Sequence, residues 1–305
     1  MKTKTVTIIG SGVSGISAAC YLAKAGFKVT IMEKNSIPGG RLSQFNQNGF
    51  IFDKGPSWYW MPEVFDNFFK DFGKETNDFY TLKRLDPSYQ FITENKSYKI
   101  PANFEMLCEL FESVEKNSSK SLIEYMSIAE NKYKLSIDNF LNLKGESYFE
   151  LINPSIIKNI HKLNIFISLR KHIKKYFKHP DLIKLLEFPS MFLGGTPSNT
   201  PGVYSMMNFA DIKEGTWYPM GGMYQIINAM KKIAIDLGVE FKFKKNINGF
   251  NIVNNLITEA SFNTDSTIKA DHYVSNCEYP FIQSKILDEN HRSYSEKYWA
   301  SRKIA

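Results

Sequence analysis

Three glycines at a spacing of two and three, Gly10, Gly12 and Gly15, stand between an apolar run at residues 6–9 and a stretch of helical composition. That stretch leads to a second apolar run, residues 29–32, closed by Glu33. The glycines serve three physical needs, since Gly10 permits a tight turn, Gly12 lets the backbone approach a pyrophosphate, and Gly15 lets helix pack closely on strand. The helix, with Ser14 in its first turn, then aims free N–H groups and roughly half a positive charge at the phosphates. Small residues Ala18, Ala19 and Ala23 keep it close to the strands. Glu33, followed by Lys34, is placed to accept hydrogen bonds from ribose hydroxyls and would repel a 2′-phosphate, so FAD or NAD fits better than NADP. The glycine spacing alone is weak; strand, helix, second strand and acid in order make it a dinucleotide-binding βαβ unit.

Further loops have the composition of a ligand-lining backbone. Pro38-Gly39-Gly40-Arg41 suits a loop pressed against a ligand, its guanidinium reaching phosphate or ribityl oxygens; an ordinary surface turn with a solvated arginine is the alternative. Residues 49–57 read as an alternating strand that breaks into a Gly55-Pro56-Ser57 loop, and loops at strand ends line the crevice of an α/β sheet. Gly221 and Gly222 precede a helix expected over about 224–237, where adjacent glycines bring the backbone close to a ligand or simply open the helix. Asp53 and Asp211 lie near these motifs as loop-ordering or solvated carboxylates. The five histidines show no metal-ligand spacing, and neither GxSxG nor a P-loop occurs, which argues against a catalytic triad and a structural metal.

On these residues the chain resembles the FAD-dependent carotenoid desaturases, within the flavin amine oxidase-like group. The first glycine turn, PGGR at 38–41 and FDKGPS at 52–57 match in order and spacing; GPSWYWMPEVF at 55–65 is similar to bacterial-type phytoene desaturases. The resemblance implies an α/β fold: a Rossmann-like, glutathione-reductase-like FAD-binding domain with an inserted, mostly helical substrate domain. It also selects FAD over NAD. The cofactor would be held by Gly10, Gly12, Ser14, Gly15, Glu33 and Lys34 at its ADP half. Gly39, Gly40, Arg41, Gly55, Pro56 and Ser57 would run toward the flavin, with Gly221 and Gly222 beside it and the backbone at Ile247 against the adenine. The implied reaction is dehydrogenation of phytoene or a related long apolar polyene by hydride transfer to flavin. Such a reaction needs an external electron acceptor, oxygen or a quinone; no catalytic acid or base is assignable. Family members carry a second Gly-rich FAD segment near their C-terminus that this sequence lacks, so it reads as the N-terminal part of a longer protein. Other readings are an amine oxidase, which needs a polar or aromatic cage at the flavin, and an incomplete flavoprotein that meets a complementary chain.

The remaining chain must position these loops. With 305 residues, 43% hydrophobic and 23% charged, one or two globular domains are expected. We expect residues 1–80 and 216–305 to form the FAD-binding domain and 81–215 the substrate and membrane-facing domain. Aromatic-rich residues 58–80 supply core, or a wall for an apolar substrate. Residues 89–92 and 97–100 read as a hairpin closed by Pro101; 103–135 show helical periodicity, with Asn117-Ser118-Ser119 as turn and cap. Residues 163–179 alternate apolar and basic side chains as a basic amphipathic helix does, either a surface helix or one lying in a lipid headgroup layer. Residues 187–197 lie, by the resemblance, toward the substrate channel. Strands are expected over 239–243, 247–252, 256–262 and 272–276. A net charge of +7 and pI near 9.0 favour anionic lipid or an anionic cofactor, and without a clustered basic surface do not argue for nucleic acid. Cys20, Cys108 and Cys277 stand too far apart for a disulfide framework, no apolar run approaches the roughly 18 residues of a membrane span, and no signal peptide is read. The expected location is therefore cytoplasmic, with peripheral membrane association.

Overall fold

Val, Ile and Thr dominate both β1 (Thr5–Ile9) and β2 (Lys28–Met32), and branched side chains on a pleated backbone favour strands. The two pair in parallel, Thr5 opposite Lys28 through Ile9 opposite Met32. A parallel pair needs a crossover, supplied by α1 (Val13–Lys24), whose Ile16, Ala19 and Cys20 are buried. A computed structural model of the chain describes residues 3–94, 96–137, 147, 163–263 and 266–302. The chain divides into two units: Met1–Ser57 with Phe68–Leu82 and Pro219–Ala305, and Trp58–Asn67 with Lys83–Tyr218.

In the first unit, strands return from the far end of the chain to flank β1 and β2. His272–Ser275 pairs in parallel with β1 and Glu240–Lys242 with β2, giving a four-stranded all-parallel sheet. The helix Gln225–Asp236 buries Ile226, Ile227, Met230 and Ile233 and packs against α1. An antiparallel meander, Ile247–Val253, Leu256–Phe262 and Ser266–Ile268, turns first at Asn254 and Asn255, both with positive φ as a two-residue hairpin turn requires. Its buried residues Ile247, Ala260 and Phe262 join Ile9 and Met32 in one cluster. A separate hairpin, β3 (Gln44–Gln47) and β4 (Phe50–Asp53), forms a two-stranded sheet. The unit is α/β with a Rossmann-like parallel sheet.

The second unit is mostly helical where described; residues 138–146 and 148–162 of the expected substrate domain lie outside the described residues. Its hairpin, Tyr89–Ile92 with Ser97–Ile100, forms as expected. Helices Phe104–Val114, Ser118–Ser136 and Pro180–Glu187 bury Leu107, Phe111, Leu122, Tyr125 and Leu186 in a common core. The expected cap at residues 117–119 is corrected in one respect: the Asn117 side chain caps nothing, and the Glu112 carboxylate accepts the N–H groups of Asn117 and Ser119 instead.

The basic amphipathic helix expected over 163–179 does not form as one element. Only Leu169–Ile173 is α-helical, because the preceding backbone bonds elsewhere: Gly202 N donates to Ile167 O at 2.7 Å and Leu169 N to Thr200 O at 2.7 Å. Beyond it, the N–H groups of Lys178 and His179 end on the Glu115 carboxylate. Leu163, Leu169, Ile173 and Phe177 are core residues, and Arg170 makes a two-pronged pair with the buried Glu187. No helix among the described residues is long and apolar enough to cross a membrane.

This core also encloses a cation. Lys132, 1% exposed, directs its ammonium to His172 Nε2 at 3.1 Å, Gly202 O at 3.1 Å and Ser205 Oγ at 2.9 Å. Three donors meet three acceptors, none of them a carboxylate. Burial, with the Lys175 charge adding to it, pushes Lys132 down to about 7. Burial and the charges of Lys132 and Lys175 push His172 down to about 3.

Candidate functional site

At the end of β1 the chain turns through Gly10, whose φ of +101° a side chain would strain. Gly10 N donates to Met32 O at 2.8 Å and Asn276 N donates to Ile9 O at 2.8 Å, so the turn is anchored by strands on both sides. A Cβ on Gly15 would lie 2.2 Å from Gly10 O and 2.8 Å from Asn276 Nδ2; only glycine lets the helix start this close to its own turn. A Cβ on Gly12 would approach Asn276 Nδ2 to 3.1 Å. Gly12 stands at the N-cap position of α1 but has no side chain to cap it, and no acidic residue occupies the first turn. The first amides of a twelve-residue helix, with their partial positive charge, are therefore presented to an anion.

Later loops close around this turn. Gly39 N donates to Ser11 O at 2.8 Å, and the two loops form a parallel bridge at Gly12 and Gly39. Gly40 packs so tightly that a Cβ there would stand 3.3 Å from the Gly12 Cα. Tyr224 OH donates to Pro38 O, holding the same loop from the helix side. Gly55 lies against Arg41, its would-be Cβ 2.3 Å from the Arg41 carbonyl oxygen. Asp53 Oδ2 accepts Met223 N–H at 2.7 Å and leaves room beside it only for Gly222. The segments 10–15, 38–41, 53–55 and 222–224 are thus linked contact by contact. Their glycine-backed surface and the uncapped α1 N-terminus fit a bound dinucleotide pyrophosphate.

The side chains expected to bind are placed as follows. Glu33 is buried, its Oε2 accepting from Ser11 N and Oγ and its Oε1 from Asn35 N and Nδ2. Four bonds use the carboxylate's capacity, so in this structure it orders the glycine turn. Arg41 pairs with Glu278 at 2.8 Å, both side chains exposed. Ser14, Lys34, Pro56, Ser57 and Gly221 are exposed. Ile247 turns its side chain into the core with Ile9 and Met32, leaving its backbone at the head of the meander. Asn276 and Tyr224 complete the site without a role assigned from sequence. Asp53 has the loop-ordering role expected of it.

In the second unit, rings from distant segments gather. Trp58 stacks on Tyr89 at 5.3 Å and meets Phe188 and Phe192 at 5.2 and 5.6 Å; Trp60 meets Phe192 at 5.0 Å. A polar network backs them: Tyr89 OH donates to Asp211 Oδ2 at 2.7 Å, Thr216 Oγ1 to Asp211 Oδ1 at 2.8 Å, and Trp60 Nε1 to Thr216 Oγ1 at 3.3 Å. Burial raises the pKa of Asp211 and, with the Asp211 charge adding, holds Tyr89 well above its ordinary value. Asp211 is thus a buried anchor that fixes the rings. Among the described residues no cluster of side chains could hold a metal ion.

Comparison with known proteins places this geometry. Residues 13–305 match the family model described as flavin containing amine oxidoreductase. The carotenoid 3,4-desaturase of Haloarcula japonica is 32% identical over 302 residues, covering 98% of this chain and 61% of that protein. A phytoene desaturase of Fusarium fujikuroi is 28% identical over 319 residues, covering 99% of this chain and 56% of its own length. The fold is shared with a Pyrococcus furiosus protein of solved structure, TM-score 0.61 at 16% identity, covering 98% of this chain and 66% of that one. The chain spans about three-fifths of the length of the curated relatives it matches.

Proposed function

The chain belongs to the family of flavin-containing amine oxidoreductases, and from that membership we propose that it forms the FAD-binding and polyene-binding part of a carotenoid desaturase. One observation carries this reading: glycine-bearing segments 38–41, 53–55 and 222–224 are linked contact by contact to the glycine turn that opens α1, in a chain whose relatives are carotenoid desaturases. Those relatives' names favour desaturation over amine oxidation.

The cofactor is FAD. The amides after Gly12, with Gly10, Ser14 and Gly15, would take its pyrophosphate; Glu33 and Lys34 would lie toward the ribose and the Ile247 backbone toward the adenine. Gly39, Gly40, Arg41, Gly55, Pro56, Ser57, Gly221 and Gly222 would follow the cofactor to its flavin. When bound, the flavin supplies a hydride acceptor, which no ordinary side chain provides. Desaturation removes a hydride and a proton from adjacent carbons, and an acceptor such as oxygen or a quinone then takes the electrons. In the second unit, Trp58, Trp60, Phe188 and Phe192 would lie along the polyene, with Asp211 holding Tyr89 beneath Trp58. Exposed Phe166, Met191 and Leu193, in the unit that also exposes Lys171, Lys174 and Lys175, support peripheral contact with the membrane from which such a substrate is drawn.

The test is to purify the chain with liposomes, record its visible spectrum and supply phytoene with an acceptor. We expect bound flavin and coloured polyene products, with flavin lost in Gly12→Val and kept in Cys108→Ser. Normal flavin content in Gly12→Val contradicts the site. Flavin without products leaves the cofactor site standing and shows that this chain alone does not complete the desaturation.

A further inference from the structure

All three glycines of the opening turn face one residue from the far end of the chain. A Cβ on Gly10 would lie 3.4 Å from the Asn276 carbonyl oxygen and 3.7 Å from its Cβ. A Cβ on Gly12 would lie 3.1 Å from Asn276 Nδ2, and one on Gly15 2.8 Å from the same nitrogen. Strand register puts the residue there: His272–Ser275 runs parallel to β1 with Ser275 opposite Ile9, and Asn276 N then donates to Ile9 O at 2.8 Å. An asparagine kept only to order a turn spends its carboxamide on nearby backbone. Asn276 is partly buried, yet among the described residues its carboxamide makes no hydrogen bond. Two charged groups of these loops are already engaged. Glu33 accepts from Ser11 and Asn35, and Arg41 pairs with Glu278, just beyond Asn276. What remains open at the turn is donor capacity: the first amides of α1 and the Asn276 Nδ2 group beside them.

We propose that Asn276 is a further cofactor-binding residue: its Nδ2 group donates a hydrogen bond to the diphosphate of the bound dinucleotide, alongside the α1 amides. The inference rests on the FAD reading of this site. The residue type fits the task. A carboxamide adds a donor and brings no charge, whereas a carboxylate of the same shape would set a second negative charge near buried Glu33 and against the phosphates. Gly12 and Gly15 then serve two ends. Their missing side chains admit the diphosphate, and they also admit the side chain from the neighbouring strand that holds it. The hydrogen bond is to a charged acceptor, the stronger class, so its loss should be visible in affinity.

The full chain, isotope-labelled at its side-chain amides, is titrated with ADP and with adenosine and followed by NMR, and FAD affinity is measured by quenching of flavin fluorescence. The Asn276 NH2 signals, identified by their absence in Asn276→Asp and Asn276→Ala, should move downfield with ADP and stay in place with adenosine. Asn276→Asp should weaken FAD and ADP by about tenfold or more, and Asn276→Ala by less. Thermal unfolding of both variants without ligand should stay at the wild-type temperature. Equal FAD and ADP affinity in wild type and Asn276→Asp overturns the proposal, as do NH2 signals that ignore ADP or move equally with adenosine. A lower ligand-free unfolding temperature in both variants, with wild-type NH2 signals unmoved by ADP, identifies a turn-ordering residue and overturns it too. A wild-type chain that binds neither FAD nor ADP overturns the cofactor reading with it, whereas binding to which Asn276 contributes nothing overturns this proposal alone.

Discussion

Acid should loosen the second unit through His172. The ring accepts a hydrogen bond from Lys132 Nζ at 3.1 Å, and the Tyr125 and Tyr176 rings each lie 5.6 Å away. Charging it would set a second cation beside a buried ammonium. Its folded pKa, about 3, lies below the ordinary 6.5, so the unfolded chain binds the proton first and stability falls as pH drops from 6.5 toward 3. At about 1.4 kcal/mol per pKa unit, the two units between 6.5 and pH 4.5 cost about 2–3 kcal/mol. His172→Gln keeps an acceptor for Lys132 and cannot titrate. Urea unfolding of wild type and variant between pH 7 and 4.5 should therefore diverge by about 2–3 kcal/mol, the variant losing less. Lys132 gives the matching alkaline limb: its folded pKa, about 7, lies below the ordinary 10.5, so wild type gains stability from pH 7 toward 10 and Lys132→Met does not. Parallel curves for wild type and His172→Gln across the acid range would refute the buried-pair argument.

Two further substitutions probe the glycine-lined site. Gly15→Ala places a methyl 2.2 Å from Gly10 O, a backbone atom that cannot step aside, so it should destabilise the chain by about 1–3 kcal/mol or more and strip flavin; Gly26→Ala, whose Cβ meets no neighbour within 4 Å but whose φ of +91° strains an alanine, should lose some stability and keep flavin bound. Thermal unfolding and flavin content measured on both variants decide it. Asp53→Ala leaves Met223 N–H without its 2.7 Å acceptor and should cost about 1–3 kcal/mol, whereas Asp53→Asn, which keeps an acceptor oxygen, should cost less; equal stability of the two would show that the link between the 53–55 and 222–224 segments carries no weight.

The parts of the fold legible in the sequence are those whose causes are local. β1, the glycine turn, α1 and β2 follow one another within 28 residues, and the steric need at Gly10 and Gly15 is written in the missing side chains themselves. The Tyr89–Ile92 and Ser97–Ile100 hairpin is legible for the same reason. The 163–179 segment misleads because its apolar period is real but serves another end: Leu163, Leu169, Ile173 and Phe177 reach one core from a broken backbone whose hydrogen bonds run to residues 197–202. Periodicity reports which side chains are buried and is silent on where their amides find partners.

The same distinction separates the expected from the unexpected members of the site. Glycines announce a close approach wherever they stand, but what they approach comes from far along the chain: Asn276 backs Gly12 and Gly15, and Tyr224 holds Pro38. Glu33 shows the consequence. Its position after β2 is readable as a ligand carboxylate, yet a buried carboxylate must find donors wherever it folds, and Ser11 and Asn35 supply four at 2.5–2.9 Å. A ribose hydroxyl can therefore reach Glu33 only by displacing one of these donors, and the exposed end of the network, the Asn35 amide, is the group with water to receive it.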